Sequence, residues 1–343
     1  MSYRSGGSRP RVTVFSLGGT IASTHQPGSP PAGVVPRLGA RELVDSVPRL
    51  REVAELETVA FRRTASSDLT LPDVVRLAAE IARRFEAGDA GVVVTQGTDT
   101  VEESSFALEL LVPGPRPVVV TGAMRDPTLA GPDGPANLLA AVRVAASPQA
   151  AGLGTLVVFD DEIHAARFVR KTHTSSTATF RSPSAGPLGW VVEGRVRIAF
   201  RAPALRGAPT GVSVRVPPVA LLKATLGDDF RLAERLPDLG YAGLVVEALG
   251  GGHLPSPAVE PLERLARRMP VVLASRTGGG ELLRETYGFP GSERDLLSRG
   301  LTPAGFLDGP KARVLLSLLL SAGAGPAAVR DSFEQVNASV FAS

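Results

Sequence analysis

Along the chain, short aliphatic and β-branched runs alternate with stretches whose apolar positions recur at helical spacing. Residues 12–17, 91–95, 117–121 and 154–159 are apolar nearly throughout, as strands buried on both faces are. Between them, residues 71–85 and 137–146 place apolar side chains three and four apart, which predicts amphipathic helices. Pro72 near the start of the first helix and Gly88 just past its end suit those positions. Strands alternating with helices at this spacing predict a parallel sheet covered on both faces. From 202 to 218 the chain reads APALRGAPTGVSVRVPP, a candidate linker. Beyond it the alternation resumes on a smaller scale, with strands expected at 219–223, 243–249 and 271–275 and helices at 258–268 and 311–321.

Composition narrows this picture. The 343 residues suffice for one large or two medium domains. Hydrophobic residues make up 43% and aromatic residues only 5%, so the core must be built mainly from Val, Leu and Ala. The 37 glycines and 29 prolines are scattered, which reads as turn punctuation rather than a disordered tract. Basic residues number 37 against 34 acidic, a formal charge of +3. The signs are interspersed, so pairs such as Arg62-Arg63 and Arg267-Arg268 are expected on solvated faces, and no nucleic-acid partner is expected. The absence of cysteine excludes disulfides, thiol catalysis and Cys-ligated metal. The first residues, MSYRSGGSRPRV, lack the apolar stretch of a signal peptide, and no run reaches the roughly 18 apolar residues of a membrane span. The expectation is a soluble, cytoplasmic protein with no membrane partner.

Candidate chemistry begins at GVVVTQGTDTVEESS, residues 91–105. A buried strand runs into a turn bearing Thr98 and Asp99, and in open parallel sheets ligands sit at strand ends. The alternative reading is helix capping by Thr98 or Thr100, with Glu102 and Glu103 in the first turn. The first apolar run ends in SLGGTIAST, where Gly18 and Gly19 permit a tight turn that leaves Thr20 exposed. Strand-Gly-Gly-helix turns also serve phosphate binding or close packing, and this one lacks the full G-x-G-x-x-G spacing.

Of the basic residues, 34 are Arg and only Lys171, Lys223 and Lys311 are Lys. Only lysine can give up its proton in the accessible range, since guanidinium stays charged. Lys171, in VRKTHTSSTATF, lies among hydroxyl residues and can serve as a base. Lys223 and Lys311 are expected to be chance surface lysines.

GGTIA at 18–22, TQGTDTVEES at 95–104, RPVVVTGAM at 116–124, DGPANL at 133–138 and KTHTSSTATF at 171–180 together resemble the bacterial-type L-asparaginase/glutaminase family. GPLGWVVEGRV at 186–196 and PKARVLLSLLL at 310–320 extend the resemblance, which runs from about residue 11 to 325. It implies a larger N-terminal doubly wound, mostly parallel α/β domain (11–201), the linker, and a smaller C-terminal α/β domain (219–343). It also implies hydrolysis of a side-chain amide by a threonine nucleophile without metal or cofactor, in a homodimer or homotetramer. Carried over position by position, Thr20 matches the nucleophile, and Thr98, Asp99 and Lys171 match a second triad. Ser66 matches the residue that holds the substrate's α-carboxylate, and Asp99 the one that holds its α-ammonium. Ser67, Gly97 and Ala123 fall in the segments that line the substrate.

The resemblance breaks in places. The family's loop tyrosine is missing, since residues 21–66 contain none; either His25 replaces it, or activation of Thr20 is weaker and His25 is a loop residue only. Ser67 stands where many secreted members have glutamine. His253, in LGGGHLP, stands where the partner subunit donates an asparagine, and Glu281 and Glu285 are nearby candidates for the partner's acidic residue. The proline-rich loop 21–36 is expected to be mobile when empty, as active-site lids are. Three readings stay open: an asparagine amidohydrolase with or without glutaminase activity, an amidase for another carboxamide, and a non-catalytic binding protein on the same fold.

Overall fold

Runs of Val, Leu and Ile without polar interruption cannot face water on either side, and the computed structural model, which describes residues 8–24, 35–36 and 38–340, buries them in two sheets. The chain divides into two compact units, residues 1–70 with 76–201 and residues 71–75 with 202–343.

In chain order the strands of the first unit are β1 (Arg11–Gly18), β2 (Ser23–Thr24), β3 (Val35–Pro36), β4 (Glu55–Thr64), β5 (Gly91–Thr95), β6 (Val118–Thr121), β7 (Thr155–Phe159), β8 (Glu162–Ala165), β9 (Arg170–Lys171), β10 (Phe180–Arg181), β11 (Gly189–Val192) and β12 (Arg195–Ile198). Eight of them form one sheet in the order β12-β11-β8-β7-β6-β5-β1-β4. The pairs β4/β1, β1/β5, β5/β6 and β6/β7 are parallel. The pairs β7/β8, β8/β11 and β11/β12 are antiparallel. The doubly wound expectation therefore holds, with an antiparallel edge the periodicity did not reveal.

From β1 the chain goes first to β4 on one side, then returns to β5, β6 and β7 on the other. This reversal makes the C-terminal end of β1 a topological switch point, where a crevice opens. Val92, Val93 and Val94 of β5 and Val119 and Val120 of β6 are wholly buried, which is why their runs carry no alternation.

The second unit contains β13 (Val219–Lys223), β14 (Gly243–Ala248), β15 (Val271–Ser275) and β16 (Thr302–Pro303), all parallel and in sequence order. Its core gathers Leu244, Val246 and Leu273 from the strands with Leu262, Leu265 and Leu296 from helices. Residues 202–218 hold neither helix nor strand.

Lys311 corrects the sequence reading. It is 1% exposed rather than a surface residue. It stands in the first turn of the helix Gly309–Ser321, where the N-cap Asp308 accepts its backbone N–H at 3.0 Å and its ammonium at 2.9 Å. A buried ammonium needs such a partner. Lys223 is mostly exposed, 3.1 Å from Glu247.

Candidate active site

Four adjacent parallel strands, β4, β1, β5 and β6, deliver their C-terminal loops to one edge of the first unit. Ser66 and Ser67 follow β4, Thr20 follows β1, Thr98 and Asp99 follow β5, and Ala123 follows β6.

Two glycines bring the first loops together. Gly19 has φ +82°, and a Cβ there would fall 2.0 Å from the Gly97 backbone nitrogen. No other residue lets the β1 turn approach the β5 turn so closely. Gly97 in turn abuts Ser66, whose Oγ would lie 2.7 Å from an added Cβ. Thr20, half-buried, opens the 3-10 turn Thr20–Ala22, with Ile21 and Ala22 buried beneath it.

The Thr98–Thr100 turn is pinned from several sides. The Ser66 hydroxyl accepts the Asp99 backbone N–H at 3.2 Å, and the Thr100 hydroxyl donates to the Ser66 carbonyl at 3.1 Å. The Gln96 side chain, wholly buried, accepts from the Ser104 hydroxyl at 2.8 Å. Neither threonine caps the helix Val101–Leu111 with its side chain, so the capping alternative does not account for Thr98.

Its hydroxyl instead meets Lys171. Lys171 Nζ donates to Thr98 Oγ1 at 2.9 Å and to Asp99 Oδ1 at 2.5 Å. Thr98 is buried and the Lys171 side chain is 16% exposed, whereas that of Asp99 is 69% exposed. The strand pair β9/β10 brings the lysine there from far along the chain, and its backbone N–H is held by Glu102 Oε2 at 3.0 Å. A cavity of about 430 Å³ lined by Asp99, Glu102, Lys171, Thr172, His173 and Thr174 opens beside the trio, large enough for a small molecule. A hydroxyl held by an ammonium that also meets a carboxylate is an arrangement for proton transfer.

The β6 loop is set by residues the sequence reading had not singled out. Asp133 accepts the backbone N–H of Met124 and Arg125 at 2.8–3.1 Å, and the Asn137 amide donates to the Gly122 carbonyl at 3.1 Å. Both lie in DGPANL, Asp133 at the N-cap of the helix Gly134–Ala145 and Asn137 near its start; polar residues opening an otherwise apolar helix are the available signal. Ala123 is buried, and Ser67 is exposed.

His253 lies in the second unit, with Nε2 3.2 Å from Glu293 Oε2 and its ring edge-on to Tyr287 and Phe289 at 4.8 and 5.2 Å. Glu281 and Glu285 are exposed there. His25 and most of the 21–36 loop lie outside the described residues. Among the described residues no group of three or more His, Asp or Glu side chains is arranged to hold a metal ion, and no helix is long and apolar enough to cross a membrane.

Comparison with known proteins adds an independent line. Residues 11–204 match the family model described as Asparaginase, N-terminal, and residues 218–333 match the Glutaminase/Asparaginase C-terminal domain. A probable L-asparaginase of Deinococcus radiodurans is 38% identical, covering 96% of this chain and 98% of that protein. L-asparaginase 2 of Escherichia coli is 33% identical, with 95% and 93% covered. The crystal structure of a probable cytoplasmic L-asparaginase from Campylobacter jejuni superimposes with a TM-score of 0.86 at 31% identity, covering 95% of this chain and all of that one.

Proposed function

The chain belongs to the asparaginase family and is an amidohydrolase, and on that premise we propose that it hydrolyses the side-chain amide of L-asparagine to L-aspartate and ammonia, with glutamine as a secondary substrate. The observation that carries this reading is the contact of Lys171 Nζ with both Thr98 Oγ1 and Asp99 Oδ1. In the proposed reaction Thr20 Oγ attacks the carboxamide carbon as its proton passes to a base. The resulting oxyanion is met by backbone N–H groups of the β5 turn. The Asp99 N–H is already taken by Ser66, and the Thr98 N–H is assigned as one of the donors. Collapse expels ammonia, which takes up the proton, and leaves an acyl-threonine ester. Water activated through Thr98 and Lys171 then cleaves the ester, frees aspartate and restores the Thr20 hydroxyl.

The other assignments follow the same reading. Asp99, exposed to the cavity, takes the substrate's α-ammonium. The Ser66 hydroxyl, whose oxygen accepts the Asp99 N–H, keeps its proton to donate to the α-carboxylate; Ser67, Gly97 and Ala123 shape the rest of the pocket, and His253 completes a site across subunits. The protein works in the cytoplasm as a homodimer or homotetramer. A second reading, the same chemistry on another carboxamide, is favoured by the changed residues expected at the substrate's amino end, His253 in place of an asparagine among them.

Ammonia release from L-asparagine, D-asparagine, L-glutamine and larger carboxamides decides between them. Turnover of L-asparagine above the others supports the proposal; inertness toward free amino acids with turnover of a larger amide supports the second reading. Thr20→Ala is expected to abolish turnover, and near-normal rates in that variant would overturn the nucleophile assignment.

A further inference from the structure

Lys171 is delivered by a very short pairing. β9 meets β10 over two residues, with Phe180 opposite Lys171 and Arg181 opposite Arg170. So short a ladder does not hold itself. Glu102 holds the Lys171 backbone N–H, and the rest of the lysine's placement depends on what pins β10. Three contacts do so. Phe180 packs on Phe159 of β7, ring centroids 4.2 Å apart. Arg181 donates to Glu162 of β8 at 3.0 Å, but the guanidinium is half-exposed and such pairs contribute little. The third contact is buried and directional: Ser182, directly after β10, sets its hydroxyl 3.0 Å from Nδ1 of His164 on β8. His164 is 1% and Ser182 5% exposed.

Ser182, His164 and Glu162 form a hydroxyl–imidazole–carboxylate row, with Nε2 of the ring 3.3 Å from Glu162 Oε2. Burial closes this hydroxyl to substrate, so the row is no second nucleophile. Burial also lowers the imidazole pKa, against the smaller raising effect of Glu162 and with a further lowering from Arg181. With its proton on Nε2 the neutral ring accepts the Ser182 hydroxyl at Nδ1, while Nε2 lies near Glu162 without a hydrogen bond to it.

We propose that His164 is a positioning residue for Lys171: by holding Ser182 it fixes β10 to the main sheet, and so sets where β9 presents the ammonium to Thr98 and Asp99. This rests on the proton-transfer role assigned to Lys171 above. His164 touches no reacting atom and acts only through the strand pair. Misplacement of a reacting group by about 1 Å costs on the order of 100-fold in rate.

The test is steady-state ammonia release by the full chain carrying His164→Leu, His164→Asn, Ser182→Ala or Lys171→Met. His164→Leu is expected to lower kcat about 10- to 100-fold while KM moves less than about threefold, since substrate-binding groups stay in place. His164→Asn, whose amide replaces Nδ1 opposite Ser182, should recover most of kcat. Ser182→Ala, a small change in volume, should reproduce the kcat loss even where the leucine variant fails to fold. A melting temperature lowered in His164→Leu and Ser182→Ala with kcat intact would overturn the positioning role, as would equal kcat losses in the leucine and asparagine variants. Lys171→Met separates the two claims. If it retains turnover, the role given to Lys171 is wrong; if it loses turnover while the His164 and Ser182 variants do not, only the present inference fails.

Discussion

Two lysine–carboxylate pairs, one in each unit, look alike on paper and differ in what surrounds them. Lys171 meets Asp99 at 2.5 Å and Lys311 meets Asp308 at 2.9 Å. The Asp308 side chain is 10% exposed and that of Lys311 1%, and the pair spans the first turn of a helix whose N-cap is Asp308. The Asp99 side chain is 69% exposed, and the Lys171 ammonium also holds the Thr98 hydroxyl beside an open cavity. A charge pair therefore does not mark a site by itself. An open carboxylate and a hydroxyl in the lysine's reach separate a reactive arrangement from a structural one.

The largest expected effect breaks the first pair. Lys171→Met removes the proton carrier and is expected to lower kcat by about 10²- to 10⁴-fold, read by ammonia release from asparagine. Lys171→Arg keeps the charge but cannot lose the proton, so it should fall nearly as far. An arginine variant of near-normal rate would reduce Lys171 to a charge partner and erase the contrast with Lys311.

The mirror experiment removes the second ammonium. Lys311→Met leaves Asp308 with a buried carboxylate and no ammonium from that residue, and breaking such a pair costs about 3–5 kcal/mol of stability. Denaturant unfolding should show the loss, while kcat of the folded protein stays at the wild-type value. A kcat that fell in step with stability would mean that the second unit's pair reaches the chemistry after all.

A smaller effect sharpens the open side of the comparison. Ser66→Ala removes the proposed donor to the substrate carboxylate together with the acceptor of the Asp99 N–H. Hydrogen bonds to charged groups contribute about 1.5–3 kcal/mol, so KM for asparagine should rise roughly 10- to 100-fold, with kcat affected less. An unchanged KM would move the carboxylate contact elsewhere on the cavity wall.

The same contrast shows what was legible in the sequence. β5 and β15 are read at their observed bounds because both faces are buried and the runs are continuous, and β13 because its apolar run from Val219 to Leu222 is unbroken. The strands from β8 to β12 escape because each spans two to four residues, too few for a period to register. Thr98, Asp99 and Lys171 are found through residue type, turn chemistry and the family resemblance. That Lys171 Nζ lies within hydrogen-bonding distance of Thr98 depends on a strand pair more than 70 residues away in sequence, which no local pattern encodes. Lys311 is misread because its burial comes from packing, and its cap from Asp308 three residues earlier. Gln96 and Asn137 are overlooked because an amide beside a turn gives no sign of which backbone groups it holds.

The smallest effect separates the stability of the first unit from its chemistry. His164 titrates below its ordinary 6.5, chiefly because burial disfavours the charged ring, with Glu162 opposing and Arg181 assisting. In the unfolded chain the ring takes up its proton near pH 6.5, and in the folded chain only at lower pH. The stability it contributes is therefore fully present above about pH 6.5 and is lost as pH falls through the folded-state value. One proton limits the slope to about 1.4 kcal/mol per pH unit. His164→Asn cannot titrate, so the wild-type stability minus that of the variant should be flat above pH 7 and decline below pH 6.5, measured by urea unfolding at several pH values. Carboxylates away from the ring titrate in both proteins and cancel in the difference. A difference that stayed level from pH 7.5 to 5 would mean that the ring titrates alike in both states, and the neutral ring accepting the Ser182 hydroxyl would lose its support.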